Sequence, residues 1–123
     1  QALVQRIAYE TLSRKERKAR HLAAARHFEQ NWGSDEAEIV EVIASHYLDA
    51  YHADAEAPDA AEIRLAARDA LARAGRRAAS VAANEEAQRY FQQAAELAEQ
   101  EPRLQAELFE QAGAMAETDD RNL

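Results

Sequence analysis

Histidine is the residue type with which this chain would bind a metal ion, because its 123 residues include no cysteine. The four histidines form two pairs six residues apart, His21 with His27 and His46 with His52. A six-residue step rotates by roughly 240° around a helix, so neither pair converges as an i, i+4 pair would. We therefore predict no metal site and place these histidines at the edge of the core or on the surface. The lack of cysteine also excludes disulfides and a thiol nucleophile.

The serine and carboxylate residues show no spacing typical of a catalytic site. The serines have no base beside them at triad-like positions. Carboxylates such as Glu85 and Glu86 lie near predicted helix starts, where they complement the helix dipole. The three glycines, Gly33, Gly75 and Gly113, are isolated, so the chain contains no phosphate-binding loop motif. We expect no catalytic residue and no cofactor.

Charged residues are segregated along the chain. Residues 14–26 contain six basic side chains and only one acidic one, whereas residues 27–63 contain acidic side chains and no lysine or arginine. Three interpretations of the basic segment remain open: internal pairing with the acidic third predicted helix, docking on a neighbouring domain, or nucleic-acid binding. The net charge of -8 and the lack of interleaved aromatics make nucleic acid the least favoured. The candidate interaction residues are Arg14, Arg17 and Arg20 there, and Arg73, Arg76 and Arg77 further on, which would suit an acidic partner.

Composition predicts an all-α fold. Alanine, the strongest helix former, supplies about a quarter of the residues, while Gly and Pro total only 3 and 2. A capping-box pattern at Ser13–Glu16 predicts a helix start at Ser13, and Ala53–Pro58 has the composition of a linker. We predict six helices: residues 2–11, 13–32, a third beginning at Ser34 or Asp35, 59–81, a fifth beginning at Asn84, and a sixth from Pro102 to about Met115.

Small and aromatic residues recur in a pattern that resembles tetratricopeptide repeats. The first unit places Leu71, Ala74, Gly75 and Ala78 on one helix and Ala87, Phe91 and Ala94 on the next. The first-helix set recurs further along the chain as Phe109, Ala112, Gly113 and Ala116, at an offset slightly longer than the period of that family. The resemblance implies antiparallel hairpins stacked as a fragment of an α-solenoid, and the register places another helix start at Asn122. An alanine-rich bundle with chance glycines is the alternative.

The opening segment resembles the region where bacterial multidomain signalling ATPases pass from the ATPase into a helical repeat array. The matching residues are Ala2–Gln5, Ala8–Glu10, Leu12 and the three basic residues of the following turns, with Ala44–Tyr47 and Leu71–Arg77 further on. Such ATPases accompany class III nucleotide cyclases or act as transcriptional regulators. The resemblance implies a chain cut from a longer polypeptide, with the ATPase motifs outside it.

Together these observations predict a non-catalytic helical-repeat scaffold that mediates protein–protein or interdomain contacts. Residues 1–57 would link to an upstream domain, and residues 58–123 would form the truncated repeat hairpins. The alternatives are a regulatory domain that binds nucleic acid through residues 14–26, or one that senses a small-molecule effector. No apolar run approaches the roughly 18 residues of a membrane span, so we expect a cytoplasmic protein whose partners are proteins or its own further domains.

Overall fold

The chain is all-helical in the part that the structure, a computed structural model, describes. It describes residues 2–32 and 37–122, without the side chains of Leu12, Ala37 and residues 119–122. Five helices occupy these residues, rather than the predicted six. They are α1 (Ala2–Asn31), α2 (Ala37–Ala53), α3 (Ala60–Ser80), α4 (Asn84–Glu96) and α5 (Pro102–Asn122).

The first two predicted helices are one continuous helix, α1, so the helix start predicted at Ser13 is wrong. The Ser13 hydroxyl accepts a hydrogen bond from Arg17 Nη1 at 3.2 Å and has no capping role. The physical reason is that no glycine or proline interrupts residues 2–31. Residues around Ser13, mainly Leu, Arg, Lys and Glu, are good helix formers, and their summed propensity outweighs one capping pattern. The predicted cap of the next helix at Ser34 or Asp35 lies outside the described residues.

The segment between α2 and α3 turns the chain, as its composition predicts. Asp59 occupies the position before α3 but makes no side-chain capping hydrogen bond. Its carboxylate instead accepts a hydrogen bond from Lys18 on α1. This ion pair joins the middle of α1 to the start of α3 and holds the pKa of the Asp59 carboxyl below its usual range, because the Lys18 ammonium stabilises the charged form.

Helix α3 ends in a Schellman motif. The Ala83 amide donates to Ala78 O at 2.9 Å, and the Ala82 amide donates to Ala79 O at 3.1 Å. Ala82 has φ 58°, the left-handed conformation that such a turn requires at this position. Helix α4 then begins at Asn84, as predicted, and runs antiparallel to α3 after a short connection.

Helix α5 begins at Pro102, as predicted, because proline suits the first helical position. It continues to Asn122, although we predicted an end near Met115 and a turn before Asn122. No glycine or proline follows Gly113, and the Thr118 hydroxyl donates to Ala114 O at 2.9 Å, as in a continuing helix. The register of the repeat therefore does not produce a turn at this place.

Among the described residues, extensive backbone contact joins only helices that follow one another in the chain: α1 with α2, α2 with α3, α3 with α4, and α4 with α5. One hydrophobic cluster runs through all five, from Leu22 on α1 to Ala112 on α5, and much of it is alanine. Two arginines of α3 bind the end of α4 and the connection that follows it. Arg64 Nη1 donates to Leu97 O at 2.6 Å, and Arg68 forms an ion pair with Glu101.

Candidate functional site

The three arginines predicted as interaction residues on α1, Arg14, Arg17 and Arg20, are exposed. Arg14, Arg17 and Arg20 form no ion pair with any residue that the structure describes. Arg14 Nη2 donates to the Thr11 hydroxyl at 3.4 Å, a contact within α1. Of the basic segment, only Lys18 pairs with a described residue of the acidic stretch, Asp59. Internal charge pairing among the described residues therefore accounts for Lys18 and for none of the three arginines.

The same part of α1 carries apolar residues in solvent. Leu3, Val4 and Ile7 are 66%, 68% and 53% exposed, and the first core residue of α1 is Leu22. We call residues 2–20 the projecting segment, since about 28 Å of helix precede the core at 1.5 Å per residue. A shallow cavity of about 230 Å³ lies on it, lined by Tyr9, Glu10, Ser13, Arg14 and Arg17.

The second arginine group lies on α3. Arg73 Nη2 lies 3.8 Å from Glu29 Oε1, and the Tyr47 hydroxyl donates to Glu29 Oε2 at 3.0 Å, so one carboxylate joins α1, α2 and α3. Arg76 is exposed and has no ion pair among the described residues. Arg77 Nε is buried and has no hydrogen-bond partner there. The structure thus divides the predicted set into an internally bonded Arg73, an exposed Arg76 and a half-buried Arg77.

A groove of about 320 Å³ lies between α3 and α5 beside these arginines. From α3, Asp69, Ala72 and Arg76 line it. The opposite wall, from α5, combines Leu104 and Leu108 with polar side chains, so the groove has an apolar floor and charged rims. A second cavity of about 320 Å³ lies on the other side of Arg73, between α1 and α3 over α2, and is lined by Glu29, Val40, Ile43 and Arg73.

The residues predicted to pack the first repeat lie on α3 and α4 and are all buried: Leu71, Ala74, Gly75, Ala78, Ala87, Phe91 and Ala94. A Cβ atom on Gly75 would lie 2.8–3.0 Å from three ring atoms of Phe91, so the ring occupies the space that a side chain would need. In the corresponding set on α5, Ala112 is buried, but Phe109 is 47% exposed. A Cβ atom on Gly113 would meet no neighbouring atom of the described residues within 4 Å.

Two of the histidines meet in a way that the sequence did not indicate. His21 Nδ1 on α1 lies 3.0 Å from His46 Nδ1 on α2, and the His46 ring stacks on Phe28 at a centroid distance of 6.1 Å. A hydrogen bond at this distance requires one Nδ1 to donate and the other to accept. Sequence spacing pairs His21 with His27, and only the register of the α1–α2 hairpin brings His21 to His46. Within the described ranges, no group of three or more metal-ligating side chains occurs.

Similarity to known proteins adds no functional assignment to this geometry. The chain matches no protein-family model, no curated protein and no solved structure. Across the described residues, none of the helices combines the length and the apolar character needed to cross a bilayer. The features that a function must explain are therefore the projecting segment, the groove beside Arg76 and the exposed surface of α5 around Phe109 and Gly113.

Proposed function

We propose that this chain is a non-catalytic helical scaffold that mediates contacts between proteins or between domains of one larger protein. The projecting segment is the single observation that carries the proposal. It exposes three aliphatic side chains within its first turns, followed by three arginines without acidic partners among the described residues. Exposed apolar side chains that form one contiguous face commonly mark an interaction site. Each aliphatic side chain fully buried by a partner would contribute about 1.5–3 kcal/mol.

The proposed scaffold is a tetratricopeptide-like stack of hairpins. Three features support it: successive helices pack as neighbours, Phe91 lies against Gly75, and the first-helix residues of the repeat recur on α5. In such a stack, α1, α3 and α5 would form one wall, and the groove beside Arg76 would lie on it. The mixed charge of this groove suits a polar peptide that brings a carboxylate to Arg76.

The proposed context is a larger cytoplasmic bacterial signalling ATPase or regulator, in which residues 1–57 join the repeat hairpins to the catalytic part. This part of the proposal rests on the resemblance of the opening segment alone. The projecting segment is the surface that would face the neighbouring domain, and its arginines would complement an acidic face there. A phosphate-binding loop encoded upstream in the same reading frame would support this context.

A photo-crosslinking amino acid at position 7 in the protein as its host produces it tests the scaffold function. We expect a discrete cross-linked product, or an intramolecular link to a further domain, from position 7. We expect none from position 85, an exposed site on α4. Leu3→Ser in the same chain should reduce the product severalfold. Equal cross-linking from both positions, or none from position 7, would contradict the proposal.

Nucleic-acid binding is the second candidate, because Arg14, Arg17 and Arg20 are exposed on one helix. The test is fluorescence anisotropy with a labelled duplex DNA and a single-stranded RNA at roughly 50 and 200 mM salt. Salt-dependent binding that the pair Arg17→Glu and Arg20→Glu abolishes would favour this candidate over the scaffold. A thermal-shift screen with candidate small molecules addresses effector sensing in the helical curve, the third alternative.

A further inference from the structure

The outward face of α5 carries a row of small and aromatic residues that the other described helices leave largely uncovered. Ala106, Phe109, Gly113 and Ala116 follow one another along this face at intervals of three or four positions. Phe109 is about half exposed, and the space beside Gly113 is open. Burying a phenylalanine side chain contributes substantially to association. Covering this face with another helix would therefore be favourable.

The α3–α4 interface shows what such an occupant must bring. On α3, the same positions are Leu71, Gly75 and Ala78, and α4 covers them with Phe91 against Gly75. Ala95 on α4 is buried and lies one helical turn beyond Phe91. Because the two helices run antiparallel, this small residue falls at the level of Leu71, one turn before Gly75 on α3. By this template, the face of α5 needs an aromatic ring opposite Gly113 and a small residue opposite Phe109.

Helix α5 itself meets both requirements. We propose that this face binds a second copy of the chain by antiparallel pairing of the two α5 helices. Positions 109 and 113 are symmetric about position 111, and so are 106 and 116. A two-fold axis at the level of Gln111 therefore places Phe109 against Gly113 of the second copy and Ala106 against Ala116 of the second copy. Each large side chain meets a small one, as self-complementary interfaces require.

The charges on one flank of the face support this orientation. Arg103 and Glu117 are both exposed, lie on the same flank and are nearly centred on the axis. Antiparallel pairing brings Arg103 of each copy near Glu117 of the other, which gives two opposite-charge pairs. A parallel arrangement would instead place Arg103 beside Arg103. The two copies of Glu110 approach each other near the axis, so the association should strengthen when this charge is removed.

Sedimentation equilibrium from roughly 1 µM to 1 mM protein tests the proposal. The range is wide because a single helix pair buries a small interface, so we expect a weak dimer. We expect a reversible monomer–dimer equilibrium. Phe109→Ala and Gly113→Gln should each weaken it at least tenfold, whereas Ala114→Gln, exposed but off the face, should leave it unchanged. Circular dichroism monitors folding, and both replaced residues on the face are exposed, so the fold should remain intact.

The charge pairs and the register have their own tests. Arg103→Glu and Glu117→Arg should each weaken the dimer, the two changes together should restore it, and Glu110→Gln should strengthen it. Since the chain has no cysteine, Glu110→Cys with a short bis-maleimide should give a covalent dimer, and Glu107→Cys, off the face, should not. A monomeric mass over the whole range would overturn the proposal. So would a dimer insensitive to Phe109→Ala and Gly113→Gln, or a monomer that binds an unrelated aromatic-bearing helix through Gly113.

Discussion

At the scale of single residues, Gly75 and Gly113 occupy the same position of the proposed repeat and should respond oppositely to substitution. A Cβ at Gly75 would meet the Phe91 ring at 2.8–3.0 Å, whereas a Cβ at Gly113 would meet nothing described within 4 Å. We expect Gly75→Ala to lower the free energy of unfolding by about 1–3 kcal/mol through overpacking, despite the better helix propensity of alanine. Gly113→Ala should raise the unfolding free energy of the monomer by about 0.5–1 kcal/mol.

Urea unfolding of both variants at low micromolar concentration measures this difference. The two substitutions are chemically identical and both lie inside helices, so each is the control for the other. A gain in stability from Gly75→Ala would mean that Phe91 does not lie against Gly75.

Ionisation of Tyr47 should lower the stability of the folded state at alkaline pH. Burial raises the pKa of the Tyr47 hydroxyl, and its hydrogen bond to Glu29 raises it further. The folded state therefore prefers the neutral phenol. The contribution of this group is present below the ordinary tyrosine pKa of about 10 and is lost as the pH rises through the raised pKa.

The variant Tyr47→Phe should isolate the contribution of the Tyr47 hydroxyl to stability. Near pH 8 the variant should be about 0.5–1.5 kcal/mol less stable than the wild type, because Glu29 loses its hydrogen bond. Above pH 10 the difference should shrink, since phenylalanine cannot ionise. Melting temperatures from pH 8 to 11 measure it, with exposed Tyr9→Phe as the control. A difference that stays constant across this range would contradict the account.

Gly75 and Phe91 show where sequence spacing is most informative about a contact. Gly75 and Phe91 lie close in sequence, on two helices joined by a short turn, so their spacing alone brings them together. His21 and His46 lie further apart, in two helices whose relative register depends on the connection between them. Their contact has no signal in the spacing of either helix, so the sequence predicts no contact between them.

At the scale of helices, α1 is the element where local sequence and structure disagree. The capping box predicts a helix start at Ser13, and the structure places Ser13 in the interior of a 30-residue helix. The two arrangements predict opposite results for Ser13→Ala. Within a helix, alanine is preferred to serine, so the variant should be neutral or up to about 0.5 kcal/mol more stable. At a cap, the same change would cost about 1 kcal/mol.

The measurement is helix content by circular dichroism together with urea unfolding. Asp59→Ala is a useful comparison, because Asp59 lies at a real helix start but makes no capping hydrogen bond and pairs with Lys18 instead. A clear loss of stability with Ser13→Ala would support two helices and contradict a continuous α1. The other boundaries at Asn84 and Pro102 are predicted correctly because a turn or a proline fixes each of them locally.

At the scale of the whole molecule, the order of packing determines how stability is distributed. Extensive contacts among the described residues join only successive helices, so each inner helix has two neighbours and each end helix has one. In such a linear arrangement, stability is approximately a sum of helix terms and nearest-neighbour interface terms. The prediction of stacked hairpins, rather than a bundle, depends on this order of helix contacts. Sequence periodicity could show which face of each helix is apolar but not which helices those faces would meet.

Hydrogen exchange should therefore depend on how many neighbouring helices each helix contacts. We expect the slowest amide exchange in α2, α3 and α4, intermediate exchange in α5, and the fastest helical exchange in the projecting segment of α1, most of whose side chains are exposed. Mass spectrometry of exchanged peptides measures these differences. Binding of a partner to the projecting segment should slow exchange at residues 2–20 specifically, whereas dimerisation through α5 should slow it around Phe109 and Gly113. Uniform protection along all five helices would instead indicate a single cooperative bundle, in which end helices gain as much from packing as inner ones.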